Sequence, residues 1–218
     1  MIIAPLSHLL GSFWEPIDDV FEHVMTYDFP ESLWGTGTLV VFTVTFSIVI
    51  GVSLAALVSF FEYPGRRFFA IAFMAPMTIP TYVMAFIYID LFDFSGPIQT
   101  WLREQEASFL LSIFPNVRSM GGCILVFSLC LYPYVYLMSC TAFRSISRCQ
   151  IESSEMLGLT PRQTFFRLIL PLAFPWIMSG AVLVTMETVA DFGGVSAFNL
   201  PSFTTMIYKS WYGLGSFN

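Results

Sequence analysis

The chain has 218 residues, a net charge of −6 and a mean hydropathy of +0.73; it is 56% hydrophobic and only 11% charged. Soluble domains carry about 25% charged residues, so this composition excludes an ordinary water-soluble globule and points to a bilayer. The acidic balance and the lack of a basic stripe that could track phosphates exclude a nucleic-acid partner.

Residues 1–14, MIIAPLSHLLGSFW, are apolar but short for a span, which needs about 20 residues. There is no basic n-region and no small-residue cleavage site, so the stretch does not read as a signal peptide. An interfacial helix and the tail of a longer helix both fit it. The acids Glu15, Asp18, Asp19, Glu22, Asp28 and Glu31 follow. Residues 1–36 are therefore expected to form an extracytoplasmic or interfacial segment, and 37–218 a transmembrane domain. Within that domain the windows 32–61, 68–89, 119–143 and 168–186 carry no charge. Each can hold one transmembrane helix, predicting an all-α polytopic bundle of about four full spans plus interfacial helices.

Basic residues set the orientation, because short loops rich in Lys and Arg stay cytoplasmic. Arg66 and Arg67 lie between the first two windows, and Arg144, Arg148, Arg162 and Arg167 between the last two; only Arg103, Arg118 and Lys209 lie elsewhere. The amino-terminal segment is then outside, and the segment 144–167 is cytoplasmic. In the second window Pro76 and Pro80 are expected to kink or interrupt the helix. Interrupted helices often line a pathway, although either proline alone fits a simple packing kink. After the Ser95-Gly96-Pro97 turn, Trp101, Leu102, Phe109 and Leu110 predict a short helix along the outer interface. Cys123, Cys130, Cys140 and Cys149 fall in or beside the third window without CxxC spacing, and read as packing thiols. His8 and His23 are isolated.

The segment 147–167 carries two successive start signals. Ser147 with Gln150, and Thr160 with Gln163, fit capping boxes, in which side chain and backbone satisfy each other's orphan amides. Gly158 is placed to end the first helix in the left-handed conformation, and Pro161 sits at a first helical position. A helix to Leu157, a glycine stop and a second short helix leading into the membrane are expected. Neither is long enough to bury a core, so a docking surface is the simplest purpose, with Met156, Leu157 and Leu159 as apolar contacts. A DNA-reading helix-turn-helix needs a third helix and a basic face, and a plain solvated loop does not explain two caps.

Here the residues resemble a known family. Glu152-Ser153-Ser154, then Gly158, then Leu168, Leu170 and Pro171 stand at the spacing of the Glu-Ala-Ala…Gly…Ile-x-Leu-Pro pattern of permease subunits of binding-protein-dependent ATP-binding-cassette importers. Serine replaces both alanines and leucine replaces isoleucine. Further stretches, FEYPGRRFFAIAFMAPMTIPTYVMAFIYIDLFDFSGPIQT, LYPYVYLMSCTAF and METVADFGGVSAFNLPSFTTMIYKSWYGLG, are similar to the ferric-iron importers of that family. The resemblance implies a type I importer permease fold in a bacterial cytoplasmic (inner) membrane. It implies a cytoplasmic ATPase subunit, holding ATP and Mg, that docks on Glu152, Ser153, Ser154, Met156, Leu157, Gly158, Leu159, Leu170 and Pro171. It further implies an extracytoplasmic substrate-binding protein, a second permease half and membrane lipid as partners. The chain itself is expected to be no enzyme and to hold no cofactor. Because such permeases resemble tandem duplications whose halves end in a further span, an amino-terminal half or a truncated form is expected.

Glu187 and Asp191 fall four residues apart on one helix face at the outer end of the fourth window. Hard oxygen ligands suit ferric iron; shaping a gate at a helix break is the reading preferred to direct ion contact. Tyr132 and Tyr136, on one face of the third span, are assigned to aromatic packing. The pathway candidates are thus Pro76, Pro80, Glu187 and Asp191. Thiamine, phosphonate or polyamine permeases remain alternatives. So do a non-transporting scaffold and a gradient-driven carrier, though the last needs ionisable groups that the four windows lack.

Overall fold

A computed structural model describes residues 24–105 and 117–213. The apolar stretch 1–14 and the predicted contacts Phe109 and Leu110 lie outside the described residues. The described chain is helical throughout. A single π turn, Val24–Asp28, leads into α1 (Phe29–Phe60). The boundary expected at residue 36 falls inside this helix. Pro30 in its first turn and Glu31 beside it suit a helix start, since neither the missing N–H nor the negative charge is a penalty there.

The second window is not one continuous helix. It comprises α2 (Arg66–Ala72), a 3-10 turn Ala75–Thr78 and α3 (Thr81–Phe92). The two parts meet at a bend of 92°. Both prolines sit in the break, Pro76 inside the 3-10 turn and Pro80 at the N-cap of α3. Neither can donate to the preceding turn, and the chain changes direction where those bonds are missing. Beyond it, α4 (Pro97–Glu104) exposes Trp101 and buries Leu102, as an interfacial helix should.

The centre of the bundle is α5 (Met120–Ser145), whose buried residues run nearly its whole length. It is clasped on two sides at one height. A Cβ added to Gly51 of α1 would stand 2.9 Å from Val135 Cβ, and one added to Gly180 would stand 2.8 Å from Val135 Cα. Glycine lets both neighbouring backbones touch α5, which is how helices associate where lipid offers no hydrophobic drive. Cys123, Cys130 and Cys140 are buried in this helix and Cys149 is exposed; all four are free thiols. Tyr136 is fully buried and donates from its hydroxyl to the Ala70 carbonyl at 3.0 Å, and Tyr132 is buried as well.

On the side that the basic residues assign to the cytoplasm, α6 (Arg148–Met156) precedes α7 (Pro161–Thr164), which continues through a π turn, Phe165–Ile169, into α8 (Leu170–Ala190). The expected second short helix is therefore the first turn of the last long helix. No breaker stands between Thr164 and Leu170. Pro171 has no N–H for the carbonyl one turn back, and the widened turn, closed by Leu170 N–H on the Phe165 carbonyl, lies just before it. Past α8 the chain breaks again and forms α9 (Gly193–Ala197) and α10 (Phe203–Gly213), the last described helix. Phe203 N–H donates to Thr36 Oγ1 at 3.1 Å, tying α10 to the outer part of α1.

Candidate functional site

Two places on the molecule gather the predicted residues. The first is the elbow between α6 and α7. Both capping boxes form: Ser147 and Gln150 exchange side-chain and backbone bonds, and so do Thr160 and Gln163. Gly158 has φ 81°, the left-handed value that lets α6 stop and the chain turn without a Cβ penalty. The tip is strongly apolar and open to solvent, with Met156 91% and Leu157 83% exposed. Glu152 and Ser153 are exposed on the same short helix.

The elbow does not present every predicted contact. Ser154 faces inward and is buried; its hydroxyl lies 2.9 Å from Thr164 Oγ1 and donates to the Ile151 carbonyl at 2.7 Å. The second small residue of the motif thus joins the two arms and is not part of an open face. Leu159 is half-buried, and Leu170 packs against the bundle core, while Pro171 is exposed. The spacing alone does not distinguish contacts within the elbow from contacts with a partner.

The second place is a cavity of about 290 Å³ that brings Pro76, Pro80, Glu187 and Asp191 together. Both helix breaks open onto it: the bend between α2 and α3, and the end of α8. Glu187 and Asp191 lie two and three turns beyond the Gly180–Val135 crossing, so by the basic-residue topology the cavity occupies the outer half of the bundle. Tyr134, which the sequence reading passed over for Tyr132 and Tyr136, lines this cavity; its hydroxyl is 3.5 Å from Glu187 Oε1. Asp191 does a structural task at the same spot. Its Oδ1 accepts the Gly194 N–H at 2.6 Å, capping α9, and its carbonyl accepts the Thr204 hydroxyl at 3.2 Å. A carboxylate at a helix start suits such a bond. Among the described residues no cluster of three His, Cys, Asp or Glu side chains could by itself hold a metal ion.

Among the described residues three helices are long and apolar enough to cross a membrane, or four if the bent pair counts as one span. Such a bundle, interrupted twice around a cavity and carrying a doubly capped elbow, has the plan of an importer permease. Residues 47–213 match the binding-protein-dependent transport system inner membrane component family, and the chain belongs to it. It is a multi-pass inner-membrane protein of the ATP-binding-cassette importer permease class. Its relatives include the sulfate transport system permease protein CysW of Escherichia coli (strain K12), 23% identical over 100% of this chain and 76% of that protein. An Fe(3+)-transport system permease protein of Haemophilus influenzae is 28% identical over 83% of this chain and 31% of its own length. A putative 2-aminoethylphosphonate transport system permease protein of Salmonella choleraesuis is 24% identical over 89% of this chain and 71% of its own.

Proposed function

We propose that this chain forms part of the translocation pathway of an importer for ferric iron, driven by a separate ATPase through the segment 147–167. The observation that carries the substrate is the lining of the outer cavity. It offers the Glu187 and Asp191 carboxylates and the Tyr134 phenol, with no Lys, Arg or His among its residues. Hard oxygen donors and uncompensated negative charge suit a trivalent cation and oppose sulfate, phosphonate or molybdate.

Coupling follows from the elbow. Its exposed Met156 and Leu157 offer an apolar knob to a cytoplasmic subunit holding ATP and Mg, and α7 runs without a stop into α8. A push on the knob is then delivered to the helix whose far end carries Glu187 and Asp191. Differential contact of the knob in two nucleotide states is the only route by which ATP biases the bundle. An extracytoplasmic binding protein delivers the ion, and a second permease half closes the pathway.

The test is uptake of radioactive ferric iron, sulfate, molybdate and 2-aminoethylphosphonate by cells whose importer depends on this chain. Iron uptake that Glu187→Gln with Tyr134→Phe abolishes supports the reading. Uptake of an oxyanion, insensitive to that pair of substitutions, overturns it and favours the chemistry named for the sulfate and phosphonate relatives.

A further inference from the structure

A second cavity, of about 650 Å³, lies on the cytoplasmic side between the end of α1 and the elbow. Its volume is within the range of roughly 300–1,000 Å³ usual for ligand pockets. The walls are apolar: Phe60 closes the first span, Ile151 comes from α6, and Phe165 and Ile169 bound the π turn. Phe60 and Phe165 stack edge-on at 6.2 Å, and Phe143 lies against both. Widened turns are rare inside helices and recur at functional sites; this one forms a wall of the cavity.

Two charges of opposite sign line the same cavity, Arg162 and Glu155, both exposed. No ion pair joins them. By the basic-residue topology, the aromatic wall lies where the first and last spans leave the inner face of the membrane. Met156 and Leu157, the knob, lie beyond it.

We propose that this groove holds one acyl chain of an amine-headgroup phospholipid of the inner leaflet, with its phosphate on Arg162 and its ammonium on Glu155. The apolar wall matches the chain, and the paired charges match a zwitterion bearing hydrogen-bonding groups at both poles. A purely anionic headgroup leaves Glu155 opposed, and a quaternary one gives it no N–H. Seated there, the lipid wedges the elbow against the first span, so the headgroup composition of the inner leaflet tunes how stiffly the elbow is held.

The test uses the full chain in nanodiscs of phosphatidylcholine containing a minor fraction of diazirine-acyl phosphatidylethanolamine. Crosslinked peptides are mapped by mass spectrometry. Peptides containing Phe60 and Phe165 to Ile169 should carry the label roughly fivefold more than with the same diazirine on phosphatidylcholine or phosphatidylglycerol, the size a partly screened charge contact gives. Glu155→Gln should remove the preference over both other headgroups, and Arg162→Gln, which loses the phosphate contact common to all three, should lower labelling by each of them. Both side chains are exposed, so gel-filtration profiles should be unchanged. Equal labelling by the three headgroups, preference that survives Glu155→Gln, labelling unchanged by Arg162→Gln, or no label on these peptides overturns the proposal.

Discussion

Ser154 and Thr164, ten residues apart, share a buried hydroxyl–hydroxyl contact of 2.9 Å across the inside of the elbow between α6 and α7. The arms otherwise meet through the turn at Gly158. Buried hydroxyls that satisfy each other fix an angle between two helices, because separating them leaves polar groups unpaired. The elbow is therefore a stiff bracket on the end of α8, suited to passing on a displacement.

Prediction one concerns this bracket. Ser154→Ala should lower thermal stability in detergent by about 1 kcal/mol, the usual net worth of one hydrogen bond. Combined with Thr164→Val it should cost less than the sum of the two single changes. A strictly additive double-mutant cycle would show that the contact carries no coupling energy.

Prediction two separates folding from docking. Met156→Asp and Leu157→Asp alter side chains in open solvent, so the unfolding free energy should stay within about 0.5 kcal/mol of the parent. Co-purification of the ATPase subunit should nevertheless be lost. If the double variant still captures that subunit, the knob is not the docking surface.

Gly158→Val gives a third prediction, with the opposite signature. At φ 81° a β-branched residue is strained, at a cost of roughly 1–2 kcal/mol. Both stability and ATPase capture should fall, while Gly158→Asn should keep most of each.

Tyr136→Phe and Tyr134→Phe form a contrasting pair. The Tyr136 hydroxyl donates to Ala70 from a buried side chain, and its loss should destabilise the bundle by about 1 kcal/mol. Removing the Tyr134 hydroxyl from the outer cavity should leave stability unchanged and reduce uptake. Chemical denaturation and transport, measured on both variants, check the assignment; a reversed pattern sinks it.

Arg66 provides a fifth prediction. Its Nε donates to the Val58 carbonyl at 2.6 Å and its Nη2 to the Ser59 carbonyl at 3.2 Å, at the end of α1. A cation there satisfies orphan carbonyls and favours the helix dipole. Arg66→Ala should cost about 1–2 kcal/mol, and Lys, without the planar fork, should restore only part of it. Equal stability of the three proteins in a thermal scan would dismiss the cap.

What could be read from the sequence was what short-range chemistry decides. The caps at Ser147 and Thr160 close within three residues, and the left-handed stop needs only Gly158, so both appeared where expected. Pro76 and Pro80 marked the break for the same reason. Which tyrosine of YPYVY faces the outer cavity depends instead on the rotation of α5. The close approaches at Gly51 and Gly180 accompany that rotation, both far from these tyrosines along the chain, and no local spacing reports it. The inward turn of Ser154 likewise requires knowing where Thr164 returns. The bend of 92° is a tertiary quantity, since a proline marks a break without fixing its angle.

The bare backbone contacts of Gly51 and Gly180 on either side of Val135 have a mechanical consequence. With no side chain on either glycine to act as a bearing, α5 has no room to roll between its neighbours, and close-packed surfaces switch between discrete seats instead of deforming smoothly. That height in the bundle is a fulcrum: a stroke below it must emerge above it as a see-saw of the whole three-helix plate.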